Sequence, residues 1–110
     1  MSAEPTPFEI DVATAHTLLE RGEAALIDVR EPDEHTICRV AGSLLLPMRE
    51  VPAVLDELPR DLPLLVLCHH GGRSARVTQF LRAHGFDRAI NVRGGIDAWA
   101  TELDPSLARY

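Results

Sequence analysis

The sequence predicts one α/β domain: a central parallel sheet with helices on both faces. Two observations carry this. Ala24–Val29, interrupted only by Asp28, and Leu64–Leu67 are apolar runs of strand length without polar alternation, the pattern of strands buried on both faces. Around them lie segments whose apolar residues recur at helical spacing, so strand and helix alternate along the chain. A length of 110 residues fits one core rather than two, and suffices to fold without a disulfide or a structural metal. The expected division is a tail over 1–7, the domain over 8–103 and a second tail over 104–110.

The elements follow in order. Phe8–Ile10 reads as a short strand. Asp11 is a good N-cap, and Val12, Ala15, Leu18 and Leu19 fall on one helical face, ended by Gly22. Ala24–Val29 is the second strand. Arg30-Glu31-Pro32-Asp33-Glu34 is a polar turn that opens a short helix. Ser43–Leu46 is a strand stopped by Pro47. Arg49–Leu58 fits a helix with Val51, Val54, Leu55 and Leu58 inward and Pro52 in its first turn. Leu64–Leu67 is a fully buried strand. Ser74–His84 is a helix with Val77, Phe80 and Leu81 inward, capped by Gly85. Ala89–Val92 is the last strand, and a short helix runs from Gly94-Gly95 through the core residue Trp99.

Composition narrows the function. There are 17 acidic and 11 basic residues, a net charge of −6, and every basic residue is arginine. Nucleic-acid binding, which wants a basic stripe, is not expected. No apolar run approaches a membrane span, and the acidic, polar start does not resemble a secretory leader. Two cysteines, Cys38 and Cys68, cannot make a disulfide framework, so reduced thiols in the cytoplasm are expected.

The chemistry concentrates in one loop. Ligands of parallel α/β sheets bind beyond the carboxyl ends of the strands. Here a buried strand ends at Cys68, and His69, His70, Gly71 and Gly72 lead to Arg73 and Ser74 at the start of a helix. Two glycines permit a tight curl that aims backbone N–H groups inward at a helix N-terminus, a nest suited to an anion. A thiolate, not a thiol, is the nucleophile, and such a nest favours it. Arg73 is expected to steady the anion, and His69 and His70 to meet an incoming anionic partner. Asp28 and Arg30 end a strand at the same edge and are expected to pair and brace the loop. A zinc site is not expected, because adjacent Cys68, His69 and His70 cannot easily place three ligands tetrahedrally. Cys38 reads as a packed thiol and Gly94-Gly95 as a site of close packing.

The loop Cys68–Ser74 resembles the active-site loop of rhodanese-type sulfurtransferases. Three further segments agree in order: Leu26–Glu34, Ala41-Gly42-Ser43-Leu44-Leu45-Leu46-Pro47, and Asn91-Val92-Arg93-Gly94-Gly95-Ile96-Asp97-Ala98-Trp99. The resemblance covers Phe8 to Trp99. Cys38-Arg39, Cys68-His69-His70-Gly71 and the ending Asp104-Pro105…Arg109-Tyr110 are similar to rhodanese domains fused to activating enzymes of the molybdopterin-synthase-sulfurylase type, of which this chain looks like a stand-alone relative. Cys38-Arg39-Val40 departs from the Gly-His-Ile that the family commonly carries there.

The resemblance implies that Cys68 attacks the outer sulfur of a donor such as thiosulfate or a small-molecule or protein persulfide, becomes a persulfide, and passes that sulfur to cyanide, a thiol or a sulfur carrier. Arg73 would serve in catalysis by helping to shape the loop and steady anions, and His69, His70, Gly71, Gly72 and Ser74 would line the loop. Neither half-reaction needs a metal or an organic cofactor. One alternative is a non-catalytic module that senses sulfur or binds a partner, as in family members lacking the cysteine. The other is a cysteine phosphatase or arsenate reductase. Phosphatases of this kind place five residues between cysteine and arginine; here four intervene and position 74 is Ser.

Overall fold

The computed structural model describes residues 6–110. Residues 1–5, most of the expected N-terminal tail, lie outside the described part. The elements are β1 (Glu9–Ile10), α1 (Val12–Glu20), β2 (Ala25–Asp28), α2 (Pro32–Ile37), β3 (Leu44–Leu45), a 3-10 helix (Met48–Glu57), β4 (Leu64–Leu67), α3 (Gly72–Ala83), β5 (Ala89–Val92) and α4 (Gly95–Glu102).

The five strands form one sheet in the order β1-β5-β4-β2-β3, and every pairing is parallel. Leu64 to Leu67 sit beside Ala25 to Asp28 on one side, and Leu64 to Val66 beside Ala89 to Asn91 on the other. Strand parity sorts the core into two. Leu26, Leu65, Leu67, Ile90 and Val92 pack with Val12, Ala15, Ile96 and Trp99. Ile27, Val29, Leu64, Val66, Cys68 and Ala89 pack with Val51, Val77 and Leu81 on the opposite face. Each β4 residue therefore faces helices whichever way it points, which is why the strand shows no polar alternation.

Local chemistry sets the element ends. Asp11 caps α1 by accepting the Thr14 N–H at 2.8 Å. Glu31 and Glu34 form a reciprocal capping box at the start of α2, with Pro32 in its first turn. The segment expected as the helix Arg49–Leu58 is instead a 3-10 helix with a kink at Val54. Pro52 lies inside it and offers no N–H, so the i→i−4 ladder cannot run through, and i→i−3 bonds such as Leu58 N–H to Leu55 O at 3.3 Å take over. Helix α3 starts two residues earlier than expected, with Gly71 as its N-cap.

β3 and β4 flank β2 on opposite sides. The chain therefore reverses direction across β2, and a crevice opens outside the carboxyl ends of β2 and β4, where Asp28 and Cys68 sit. Residues 104–110, expected as a tail, fold back over this crevice. Leu107 packs on the α1–α4 core, and Tyr110 reaches the loop that follows β4. No helix among the described residues is long and apolar enough to cross a membrane.

Candidate active site

Cys68 continues β4 by one residue and is 1% exposed. Gly71 donates its N–H to Cys68 Sγ at 3.0 Å. That bond needs the chain to turn back at once, and Gly71 does so at φ +110°, a conformation costly for any residue with a Cβ. The sulfur sits at the N-terminus of the 12-residue α3, whose dipole favours negative charge there. Of the several inward N–H groups expected, one, that of Gly71, reaches the sulfur among the described residues.

The second partner of the sulfur is Ser74, fully buried, with Oγ at 3.2 Å from Sγ. The Ser74 hydroxyl donates to Asn91 Oδ1, and Asn91 turns its amide N–H to Glu9 Oε1 at 3.3 Å. With the single hydroxyl proton on Asn91, a protonated Cys68 donates to Ser74 Oγ. An ionised Cys68 can instead take that proton as its own hydrogen bond. The loop is held from below by α4. Ile96 donates its N–H to Cys68 O at 2.9 Å and Asp97 to His69 O at 3.1 Å.

Arg73 does not point at the sulfur as a free cation. Its two terminal nitrogens grip Glu34 at 2.6 and 2.9 Å, a bidentate pair that ties α3 to α2. Those hydrogen bonds hold Arg73 above the usual arginine range, with the Cys68 sulfur a smaller contribution. They also lower the Glu34 carboxyl to about 2, against the opposing pull of burial. Of the two roles expected of Arg73, the pair with Glu34 fits shaping the loop, whereas the guanidinium charge is already held by a carboxylate rather than free for an anion.

Asp28 and Arg30 pair as expected, both fully buried, with Arg30 Nη2 at 2.7 Å from Asp28 Oδ2. Arg30 also donates to Cys38 O at 2.7 Å, Glu34 O at 3.1 Å and the Tyr110 hydroxyl at 3.0 Å. Burial works against its charge, but the Asp28 and Tyr110 hydrogen bonds outweigh it and hold the guanidinium above the arginine range. Tyr110 in turn donates to Glu34 Oε2 at 2.8 Å. Burial, more than any partner, pushes its hydroxyl up to about 12. One polar chain thus runs from Asp28 through Arg30, Tyr110 and Glu34 to Arg73, bracing the loop from beneath the sheet edge.

His69 and His70 part ways. The His69 ring stacks on Tyr110 at 3.8 Å and 9°, with Nε2 buried and without a partner. Burial first, then the neighbouring His70, lowers its pKa and disfavours the charged ring. His70 is exposed, with Nδ1 4.0 Å from Asp97 Oδ2. One donor atom each from His69, His70 and Asp97 lies within 4.8 Å of the others, a spacing a metal could use. Asp97 Oδ1, however, already holds Arg109 at 3.0 and 3.2 Å, and a second cation there would meet that guanidinium. Cys38 is 8% exposed and lies under Ala108, Arg109 and Tyr110.

Glu34, Asn91, Asp97 and Tyr110 were not singled out as site residues from the sequence. Asn91 carried a signal: it is the one polar residue in the run Ala89–Val92, and a buried amide in a strand needs a partner. Glu34 showed only as part of the polar turn Arg30-Glu31-Pro32-Asp33-Glu34. Tyr110 had no local signal, since its role is made by contacts 76 and 80 positions away in sequence.

The model of the rhodanese-like domain matches residues 11–102. A sulfurtransferase of Allochromatium vinosum is 34% identical over 101 residues, covering 91% of this chain and 94% of that protein. The rhodanese-like/PpiC domain-containing protein 12, chloroplastic, of Arabidopsis thaliana is 36% identical over 110 residues. That match covers 93% of this chain but only 37% of the plant protein. Among solved structures, a rhodanese-related protein from Thermoplasma volcanium superposes with a TM-score of 0.81 at 32% identity, covering 88% of this chain and 94% of that one. Matched in sequence over most of its length, and sharing a solved relative's parallel sheet, the chain belongs to the rhodanese-like domain family.

Proposed function

We propose that the chain is a sulfurtransferase that carries sulfane sulfur from a donor, of which thiosulfate is the simplest, to a nucleophilic acceptor through a persulfide on Cys68. The observation that carries this is the Gly71 N–H on Cys68 Sγ at 3.0 Å, at the carboxyl end of β4 and the start of α3. The thiolate attacks the outer sulfur of the donor, the donor's S–S bond breaks, and the remainder leaves with the electron pair. An acceptor, cyanide in an assay and a thiol or sulfur carrier in a cell, then attacks the terminal sulfur and returns the thiolate. The Gly71 N–H and the α3 dipole meet negative charge in both half-reactions. The persulfide places the transferable sulfur about 2 Å beyond the buried Sγ, in a loop whose His70 and Gly72 are exposed.

Arg73, with Glu34, fixes the loop rather than the substrate. Asp28 and Arg30 brace it, and Ser74 shares a proton between sulfur and Asn91. Two free cysteines, both buried, fit a reducing compartment such as the cytoplasm. The phosphatase reading loses ground because the only arginine in the loop is held by Glu34.

The test is the intact mass before and after thiosulfate or an alkyl persulfide, and again after cyanide, with Cys68→Ala alongside. The expected result is a gain of one sulfur atom that needs Cys68 and is discharged as thiocyanate. No gain with either donor would refute sulfur transfer and leave the binding-module reading.

A further inference from the structure

Most arginines around the Cys68 loop are already matched, although exposed Arg39 and Arg76 have no ion-pair partner among the described residues. Arg73 is held by both oxygens of Glu34, and Arg109 by Asp97 Oδ1. Arg30 is buried on Asp28, and Arg49 is bonded to Glu31 with Glu50 at 3.8 Å. Burial lowers the His69 pKa, and His70 Nδ1 lies 4.0 Å from Asp97 Oδ2. Arg76, the next arginine along α3, is exposed and has no carboxylate within 4.0 Å among the described residues. It lines an apolar groove with Met48, Val51, Pro52 and Phe80, one helical turn after Arg73. Around these largely paired charges the whole chain carries a net charge of −6. The pairing of Arg73, Arg109, Arg30 and Arg49 leaves little unmatched positive charge to offset that of the acidic body.

One backbone N–H, that of Gly71, and the end of the α3 dipole meet the sulfur, and a dianion approaching it also meets the field of the acidic body. A donor with one charge or none meets far less of that field. We infer that this site selects sulfur donors of low charge, persulfides R–S–SH rather than dianionic thiosulfate, and that Glu34 and Asp97 set this selectivity by neutralising Arg73 and Arg109. The inference rests on the sulfurtransferase reading above. The step it concerns is balanced without an added oxidant or reductant. Cys68 thiolate and R–S–SH give Cys68–S–SH and R–S⁻, as one S–S bond forms and another breaks.

The probes are thiosulfate, a dianion, and methanethiosulfonate, a monoanion that delivers its sulfur from a similar sulfonyl group. Wild type, Glu34→Gln and Asp97→Asn are compared by kcat/KM at several ionic strengths, with thermal midpoints to show that each variant is folded. In wild type, added salt should raise kcat/KM for thiosulfate several-fold and change that for methanethiosulfonate little. Glu34→Gln frees one positive charge in a partly solvated mouth. It should shift the thiosulfate-to-methanethiosulfonate ratio upward on the order of tenfold, and Asp97→Asn about threefold. Intrinsic donor reactivity cancels in the ratio, and a variant that merely loosened the loop would lower both rates alike. Thiosulfate turnover that falls with salt in wild type, or a ratio unmoved in both variants, overturns the inference. If neither donor leaves a Cys68-bound sulfur on the protein, the sulfurtransferase reading itself fails and takes this inference with it.

Discussion

Gly95 supports the Cys68 loop through contact, and replacing it with alanine tests that support. Gly95 opens α4 at φ +61°, where a residue with a Cβ pays roughly 1–2 kcal/mol. A Cβ there would lie 2.5 Å from Cys68 O and 2.4 Å from His69 O, both backbone atoms that cannot swing aside as a side chain can. Relief requires the loop to lift off the start of α4, which strains the N–H bonds from Ile96 to Cys68 O and from Asp97 to His69 O. Each such bond contributes about 1 kcal/mol net, so the expected destabilisation is about 3–4 kcal/mol. For a domain near this size that is a fall in Tm of at least roughly 12 °C. The single Trp99, 4% exposed on α4, reports unfolding in urea by its fluorescence. Sulfur transfer, measured where the variant is still folded, should drop at least about tenfold, because displacement of the Cys68 carbonyl carries Sγ off the Gly71 N–H. Gly72→Ala is the control in the same loop. Gly72 has an ordinary φ and nothing within 4 Å of a Cβ, so alanine there should be neutral or stabilising by up to about 1 kcal/mol. A Gly95→Ala variant that loses less than about 1 kcal/mol and keeps full activity would refute the claim that α4 sets the position of the loop.

Asp28→Ala leaves Arg30 buried without its main partner and should cost about 3–5 kcal/mol in urea unfolding; replacing both residues by apolar ones of similar volume should cost less than the single change. Glu34 has its carboxyl lowered from 4.5 to about 2 in the fold, so its contribution to stability is complete above about pH 4.5 and is lost as pH falls toward about 2. Urea midpoints followed down through that window should fall more steeply for wild type than for Glu34→Gln, and parallel curves would contradict the pairing with Arg73. Tyr110→Phe keeps the stack on His69 and loses two hydrogen bonds, for about 1–2 kcal/mol. Tyr110→Ala also uncovers Cys38, so iodoacetamide should label Cys38 faster there than in wild type or Tyr110→Phe, as peptide mass mapping would show.

What the sequence made legible was whatever is written locally. The apolar runs Leu64–Leu67 and Ala89–Val92 match β4 and β5 to the residue, because burial on both faces leaves a composition that few other structures produce. The loop was legible because Gly71, the start of α3 and Cys68 lie within five positions, so their geometry follows from a turn and a helix terminus. Pro52 shows the opposite limit: its apolar neighbours have helical spacing, but one missing N–H turned the segment into a 3-10 helix. Arg73 shows another. Its place beside Cys68 in sequence suggested a cation for the substrate, whereas its guanidinium binds Glu34, 39 positions earlier.

That difference bears on mechanism. An arginine next to a nucleophile can act on the reacting atoms or on the scaffold that holds them, and sequence distance to the nucleophile does not tell these apart. Here the carboxylate of Glu34 takes both terminal nitrogens of Arg73, and the Tyr110 hydroxyl joins Glu34 to Arg30 and so to Asp28. The charges of the site are consumed in fixing the ends of β2, α2 and α3 against one another. What remains to face the sulfur is a backbone N–H, a helix dipole and a serine hydroxyl, groups that stabilise negative charge without attracting it from a distance. A site of this kind relies on its donor arriving by contact rather than by field. That is the physical reason to expect charge, more than size, to decide which sulfur donors it accepts.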